Sequence, residues 1–257
     1  MTLKWIAYII ILTLIFTSGC SDKQYFGSLQ SPEETSLSAP LITEQVLEIY
    51  EPLLNFNAMV TLKNEFGKIN EQVFYQPPKY RIEYLSPSEK NGDIVVFDGD
   101  IKWHYVNATN EALWISAEYE NFTFPEEYSA VAIDYLELII GMLTDYEWIS
   151  NGTSSENGDI FYIIEYTDLT PVTDAPYPVS YPIYSVRLWI EKDTWIIKKA
   201  ESFSKSGKII LSADYSDVVI NDEIQKETFV FHTPKGADIK PMGTVAITPP
   251  REQIETR

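Results

Sequence analysis

The sequence predicts an α+β fold: an antiparallel meander of about eleven short strands accompanied by two amphipathic helices. Three observations predict it. Short β-branched or aromatic runs broken by Gly, Pro and Asn recur from residue 57 onward. Two separate stretches carry apolar residues at helical spacing. No period of about 20–50 residues repeats along the chain, which argues against a solenoid. With 257 residues, 45% hydrophobic and 14% aromatic, the chain is not a disordered polymer, and it can bury one sizeable core.

Residues 1–20 form the first element. Lys4 gives a short positive start, Trp5 to Phe16 an apolar run of 12 residues, and Ser18 and Gly19 immediately precede Cys20, the only cysteine. A membrane-spanning helix needs about 20 apolar residues, so the run suits a cleaved export signal better than a permanent span. Residues 1–20 are therefore expected to be a lipoprotein signal peptide and lipobox, with Cys20 as the site of lipid attachment. Thr17 departs from such motifs, which more often carry Leu there. The alternative is an uncleaved signal anchor with an incidental cysteine. Either way residues 21–257 lie outside the membrane, on the outer face of the cell membrane or on its periplasmic face where the host has two membranes.

Residues 21–40, rich in Ser and carrying Pro32, Glu33, Glu34 and Pro40, read as a flexible tether. From Leu41 to Leu54, Val46, Ile49, Tyr50 and Leu53 recur at helical spacing, with Thr43 as a candidate N-cap and Pro52 bending or ending the helix. The period then falls from helical to alternating. Asn57–Lys63, Asn70–Gln76, Tyr80–Leu85, Ile94–Asp98, Ile101–Val106 and Glu111–Ser116 read as strands. Alternation is clearest for Tyr80, Ile82 and Tyr84 against Arg81 and Glu83, and for Ile101, Trp103 and Tyr105 against Lys102 and His104. Asp98-Gly99 is a two-residue turn candidate between strands.

Pro125, Glu126 and Glu127 open a second helix, whose Tyr128, Val131, Ala132, Tyr135, Leu138, Ile139 and Met142 make one apolar face ending near Leu143. Asp159–Tyr166, Tyr184–Glu191, Trp195–Phe203 and Lys208–Tyr215 follow as strands, with a last one near Thr228–His232. Between the first two of these, Asp168–Pro182 carries Pro171, Pro176, Pro178 and Pro182 and reads as a long rim or lid loop. The folded domain is expected to span residues 41–245, with a C-terminal tail over 246–257.

Charge narrows the partners. The chain has 38 acidic and 19 basic residues, a formal charge of −19, so nucleic acid and anionic headgroups are repelled. With Cys20 lipidated, no cysteine is left for a disulfide, and burial alone must hold the fold. Asn107, Asn121 and Asn151 each open an Asn-x-Ser/Thr triplet, candidate N-glycosylation sites in a host that glycosylates exported proteins. Their clustering in sequence would mark one exposed side.

Enzymatic signals are poor. His104 and His232 lie far apart with no adjacent second ligand, so no metal site is expected. The sequence has no Gly-rich phosphate loop and no Gly-x-Ser-x-Gly elbow, and no cofactor is expected. Asp98 and Asp100 flank Gly99, where a turn gives them an ordinary reason to exist. Asp214, Asp217, Asp222 and Glu223 lack the spacing of a calcium loop. A non-enzyme is the expectation.

Four stretches carry a resemblance to a known family. They are Pro77-Pro78-Lys79-Tyr80-Arg81-Ile82-Glu83-Tyr84, Phe97-Asp98-Gly99-Asp100-Ile101-Lys102-Trp103-His104-Tyr105, Leu188-Trp189-Ile190-Glu191-Lys192-Asp193-Thr194-Trp195-Ile196-Ile197-Lys198-Lys199 and Phe229-Val230-Phe231-His232-Thr233-Pro234-Lys235-Gly236. In this order they resemble successive strands of the outer-membrane lipoprotein carrier family, which includes the LolA and LolB carriers and the RseB/MucB-type sensors. The resemblance covers roughly residues 41–240. It implies a curved, incomplete antiparallel β-barrel whose open, concave face is covered by helices over an apolar cavity that binds acyl chains. Gln76 stands before Pro77, where the soluble carriers tend to have a basic residue, so the resemblance does not extend to a hand-over cycle driven by that contact.

On this reading the cavity is lined by Tyr80, Ile82, Tyr84, Trp103, Tyr105 and Trp189 from strands, with Val131, Tyr135, Leu138 and Met142 from the second helix. The expected function is a surface-tethered, non-enzymatic lipoprotein that binds or carries a lipid or acylated protein. The alternative is an envelope sensing or protein-interaction module whose core is filled and which takes no lipid, since alternation does not distinguish a packed interior from a hollow one.

Overall fold

The computed structural model describes residues 37–116, 131–172 and 182–242. Cys20 and the signal, residues 21–36 of the tether, Asn121, the Pro125–Tyr128 helix start, residues 173–181 of the rim loop and the tail lie outside the described residues. The elements run α1 (Ala39–Tyr50), β1 (Phe56–Asn64), β2 (Gly67–Gln76), β3 (Lys79–Ser86), β4 (Ile94–Phe97), β5 (Ile101–Val106), β6 (Glu111–Ser116), α2 (Val131–Asp145), β7 (Ile149–Glu156), β8 (Asp159–Val172), β9 (Ile183–Glu191), β10 (Ile197–Phe203), β11 (Ile209–Ile220) and β12 (Asp238–Pro241).

All the strands join one 12-stranded sheet in the order β12-β6-β5-β4-β3-β2-β1-β11-β10-β9-β8-β7. Chain order explains it. β1 to β6 form an antiparallel meander from the middle of the sheet to one side. After α2 the chain re-enters at the opposite edge as β7 and meanders back until β11 pairs antiparallel with β1. The sheet is curved and open, with edges at β12 and β7. This is the incomplete barrel that the resemblance implied, with one strand more than expected among the described residues.

The two helices share one apolar core with the concave face. Ile42, Val46 and Tyr50 of α1 and Ala132, Ile133, Tyr135, Leu136, Ile139, Met142 and Leu143 of α2 lie in a single cluster with residues of β1–β4 and β8–β11. Among the described residues no helix is long and apolar enough to cross a membrane.

Several boundaries differ from the sequence reading. α1 starts at Ala39 with Pro40 in its first turn, because proline suits a position whose N–H has no helical partner. Thr43 is therefore not the N-cap; it lies inside the helix, its hydroxyl donating to the Ala39 carbonyl at 2.7 Å. The β4–β5 connection takes three residues rather than two. Asp98 Oδ1 accepts the N–H groups of Asp100 and Ile101 at 2.9 and 2.8 Å, and Gly99 supplies the required φ of 104°.

β8 runs on through Pro171 to Val172, beyond the start of the expected loop. The strand expected near Thr228–His232 is instead a single 3-10 turn, Lys226–Phe229, followed by chain that belongs to no strand. β7 and β12 are additions. β7 pairs with β8 through the two-residue turn Asn157-Gly158, where both residues have positive φ. β12 pairs parallel with β6.

Candidate functional site

Directly paired residues of neighbouring strands project to the same side of a sheet. His104, Val95, Ile82 and Val73 form one such row across β5, β4, β3 and β2. Tyr84, Glu71, Val60 and Tyr215 form a second across β3, β2, β1 and β11. Ile164, Leu188, Ala200 and Ala213 form a third across β8–β11. Apart from His104 and Glu71, every one of these residues belongs to the cluster that packs against the helices. The concave face is thus mainly apolar, and the helices cover it.

Of the residues expected to line this face, Ile82, Tyr84, Tyr135 and Met142 lie in the shared cluster, and Tyr80, Val131 and Leu138 are partly buried against it. Trp103 and Tyr105 do not line it. They belong to a second cluster with Val96, Ile101, Ala112, Trp114 and Phe231, on the opposite side of the sheet. The C-terminal segment after β11 returns across that side, and the Phe231 ring stacks on Trp103 with centroids 4.8 Å apart. The alternation in β5 is real, but its faces are reversed from the expectation: it is Lys102 and His104 that turn toward the helices.

Trp189 is likewise displaced from the expected lining. It alternates with Leu188 and Ile190, which are in the shared cluster, and so projects to the outer side. There the Lys199 ammonium sits 4.6 Å from its ring centroid, and Arg187 lies 5.9 Å away.

The helix side also holds polar groups that sequence reasoning did not single out. Glu71 is buried, and loss of hydration pushes its carboxyl up to about 7 despite the opposing charge of Lys90. Burial lowers the Lys102 amine to about 8, partly offset by the Asp134 charge; burial raises Asp134 to about 6, partly offset by Lys102. The Lys102 ammonium lies 5.6 Å from the centroid of the Tyr80 ring. Burial, with the positive charges of Lys90 and Lys102, lowers His104 to about 4, so it is neutral. Three hydroxyls tie elements together: Tyr75 donates to Glu137, Tyr135 pairs with Ser202 at 2.8 Å, and Tyr50 accepts the Ile197 N–H at 3.1 Å. Glu71 carried a readable signal, because it shares its side of β2 with Val73 and Tyr75.

The interior is tightly filled around the middle of α2. Ile82, Tyr135 and Ile139 are each 0% exposed, and a side chain bordering an empty water-sized chamber would show area to it. In this conformation the helices themselves fill the space over the middle of the concave face.

The remaining candidates are peripheral. Asn107 follows β5 and Asn151 lies in β7, far apart in the strand order. Both are exposed, with the side-chain nitrogens donating to the Asn91 carbonyl at 3.0 Å and to Glu165 at 2.5 Å respectively. Asp214 pairs with Lys63 at 2.7 Å. Among the described residues no three His, Cys, Asp or Glu side chains gather as a metal-ligand set.

These features define an open antiparallel half-barrel with a helix-covered, mainly apolar concave face. The same fold is found in an uncharacterized conserved protein from Thermus thermophilus, with a TM-score of 0.50 and 13% identity over 79% of this chain and 99% of that one. The family that the strand motifs resemble is represented among solved structures by MucB of Pseudomonas aeruginosa in its complex with MucA. It matches with a TM-score of 0.44 and 10% identity over 74% of this chain and 60% of that one. Lipoprotein LppX of Mycobacterium tuberculosis gives a TM-score of 0.45 and 13% identity over 73% of this chain and 97% of that one. At such identities the likeness is one of fold. No family model matches the chain, and no curated protein matches it.

Proposed function

We propose that this chain is a surface-tethered, non-enzymatic lipoprotein that binds a lipid or an acylated protein between its helices and the concave face. Cys20 carries the anchor, residues 21–40 form the tether, and the half-barrel domain spans 41–245. The observation that carries the reading is the single apolar cluster shared by both helices and eight strands. A surface this continuous is a protein core when the helices lie on it and an acyl-chain site when a helix lifts.

The exchange is energetically reasonable. Exposing Ile42, Val46 and Tyr50 of α1 costs about 2 kcal/mol each, and a buried methylene returns about 0.8 kcal/mol, so about eight methylenes offset the displaced helix face. A permanently tethered protein does not shuttle between membranes. The role that fits is receiving, holding or sensing a lipid rather than long-range transport.

A second reading is favoured by the absence of exposure at Ile82, Tyr135 and Ile139: a filled core that meets an envelope protein partner and takes no lipid. Uptake of a fluorescent fatty-acyl probe by the wild type and by Leu138→Glu separates the two. Leu138 is only partly buried, so a carboxylate there reaches water and leaves the fold intact while placing charge at the edge of the apolar site. Saturable uptake lost in Leu138→Glu supports the lipid reading. No uptake by folded wild type supports the filled module.

A further inference from the structure

The row Tyr84–Glu71–Val60–Tyr215 crosses the middle of the concave face on four adjacent strands. Glu71 is 3% and Tyr215 4% exposed. Glu71 Oε2 and the Tyr215 hydroxyl are both buried and have no hydrogen-bond partner among the described residues. Nine in ten buried polar groups are paired, roughly, and an orphan costs its full desolvation. Two orphans in one row, with only Val60 between them, cost stability that Met and Phe at the same positions would spare. Their placement makes sense if something other than this chain completes them.

We propose that Glu71 and Tyr215 form a hydrogen-bonding subsite for an ester carbonyl or hydroxyl oxygen of a neutral lipid, held at the centre of the concave face. The inference rests on the lipid-binding reading above. The two backbones lie two strand spacings apart, about 10 Å, so side chains reaching inward from both flank a ligand lying over Val60. Burial holds the Glu71 carboxyl protonated up to about pH 7 and keeps the Tyr215 hydroxyl protonated well beyond its ordinary range, so both offer O–H donors. A phosphate is the wrong partner. Glu71 ionises close to neutrality, and like charges repel strongly in a poorly hydrated interior.

The test measures Kd by displacement of a polarity-sensitive hydrocarbon probe from the full chain. The ligands are dioleoylglycerol, dioleoylphosphatidylglycerol and hexadecane, on the wild type, E71Q, E71M and Y215F. The wild type is expected to prefer dioleoylglycerol to dioleoylphosphatidylglycerol about tenfold. E71M and Y215F should each weaken dioleoylglycerol about tenfold and leave hexadecane unchanged, while E71Q, whose amide still donates, keeps most of the affinity. If all four proteins bind hexadecane and dioleoylglycerol with unchanged Kd, the subsite is wrong and the lipid reading stands. Unchanged affinity together with an unchanged or lower Tm in E71M and Y215F also overturns it, marking the orphans as groups satisfied by water. No ligand displacing the probe from the wild type overturns both.

Discussion

Replacing Glu71 by glutamine tests whether the concave face is a dry interior. The folded chain holds the Glu71 carboxyl at about 7, against 4.5 for a free side chain, because burial penalises the charge. The folded state therefore keeps the proton over a range in which the unfolded chain has lost it. Stability from this group is fully present below about pH 4.5 and falls as pH rises to about 7. At about 1.4 kcal/mol per pH unit of displacement, ionised Glu71 costs about 3 kcal/mol, of which about 2 to 3 kcal/mol is lost between pH 5 and pH 8.

The amide introduced by E71Q does not titrate. Urea unfolding of wild type and E71Q, followed by tryptophan fluorescence at both pH values, should show the variant gaining that amount relative to the wild type on going from pH 5 to pH 8. Lys102, His104 and Asp134 titrate in both proteins and largely cancel in the difference. A stability difference independent of pH would mean that Glu71 sees water, and that the space between helices and sheet is wet.

Other substitutions separate the two faces. Trp103→Ala removes a fully buried ring stacked on Phe231 and should cost about 3–5 kcal/mol in urea unfolding, yet leave acyl-probe affinity of the folded fraction unchanged. Trp189→Ala should cost about 1 kcal/mol through lost contacts with Lys199 and Arg187, again with unaltered affinity; a loss of uptake would return this ring to the binding face. Asp98→Ala, which loses two backbone hydrogen bonds in the β4–β5 turn, should lower stability by about 1–2 kcal/mol without affecting uptake. Cys20→Ala should move the protein from the membrane fraction to the soluble fraction; unchanged partitioning would favour an uncleaved anchor.

The meander from β1 to β6 and the pairs β8–β11 were legible because their residues alternate. Asn57–Lys63 and Ile101–Val106 come within one residue of the observed strands. β7 escaped because Ile149–Glu156 is an edge strand, largely exposed on both sides, so it has no alternation to read. Its turn, Asn157-Gly158, was nonetheless a strong hairpin signal in the sequence.

Which face a strand turns inward was harder. For β9 the sequence held the answer, since Arg187 and Glu191 share the side of Trp189 and leave Leu188 and Ile190 for the core. For β5 the same logic fails. Ile101 to Tyr105 are buried on both sides, because the C-terminal segment covers one and α2 lies toward the other, so Lys102 and His104 are buried polar residues rather than markers of solvent. That a chain segment more than a hundred residues away covers the outer face is a tertiary fact that alternation does not encode.

Lipid uptake between the helices and the concave face is the proposal on which the other assays depend. Its most direct test is native mass spectrometry of the purified, folded chain after incubation with a total lipid extract of the host membrane and a mild wash. A retained adduct of lipid mass beyond any anchor at Cys20, absent from Leu138→Glu, is expected. A wild-type spectrum with no such adduct, from protein shown to be folded, would contradict it.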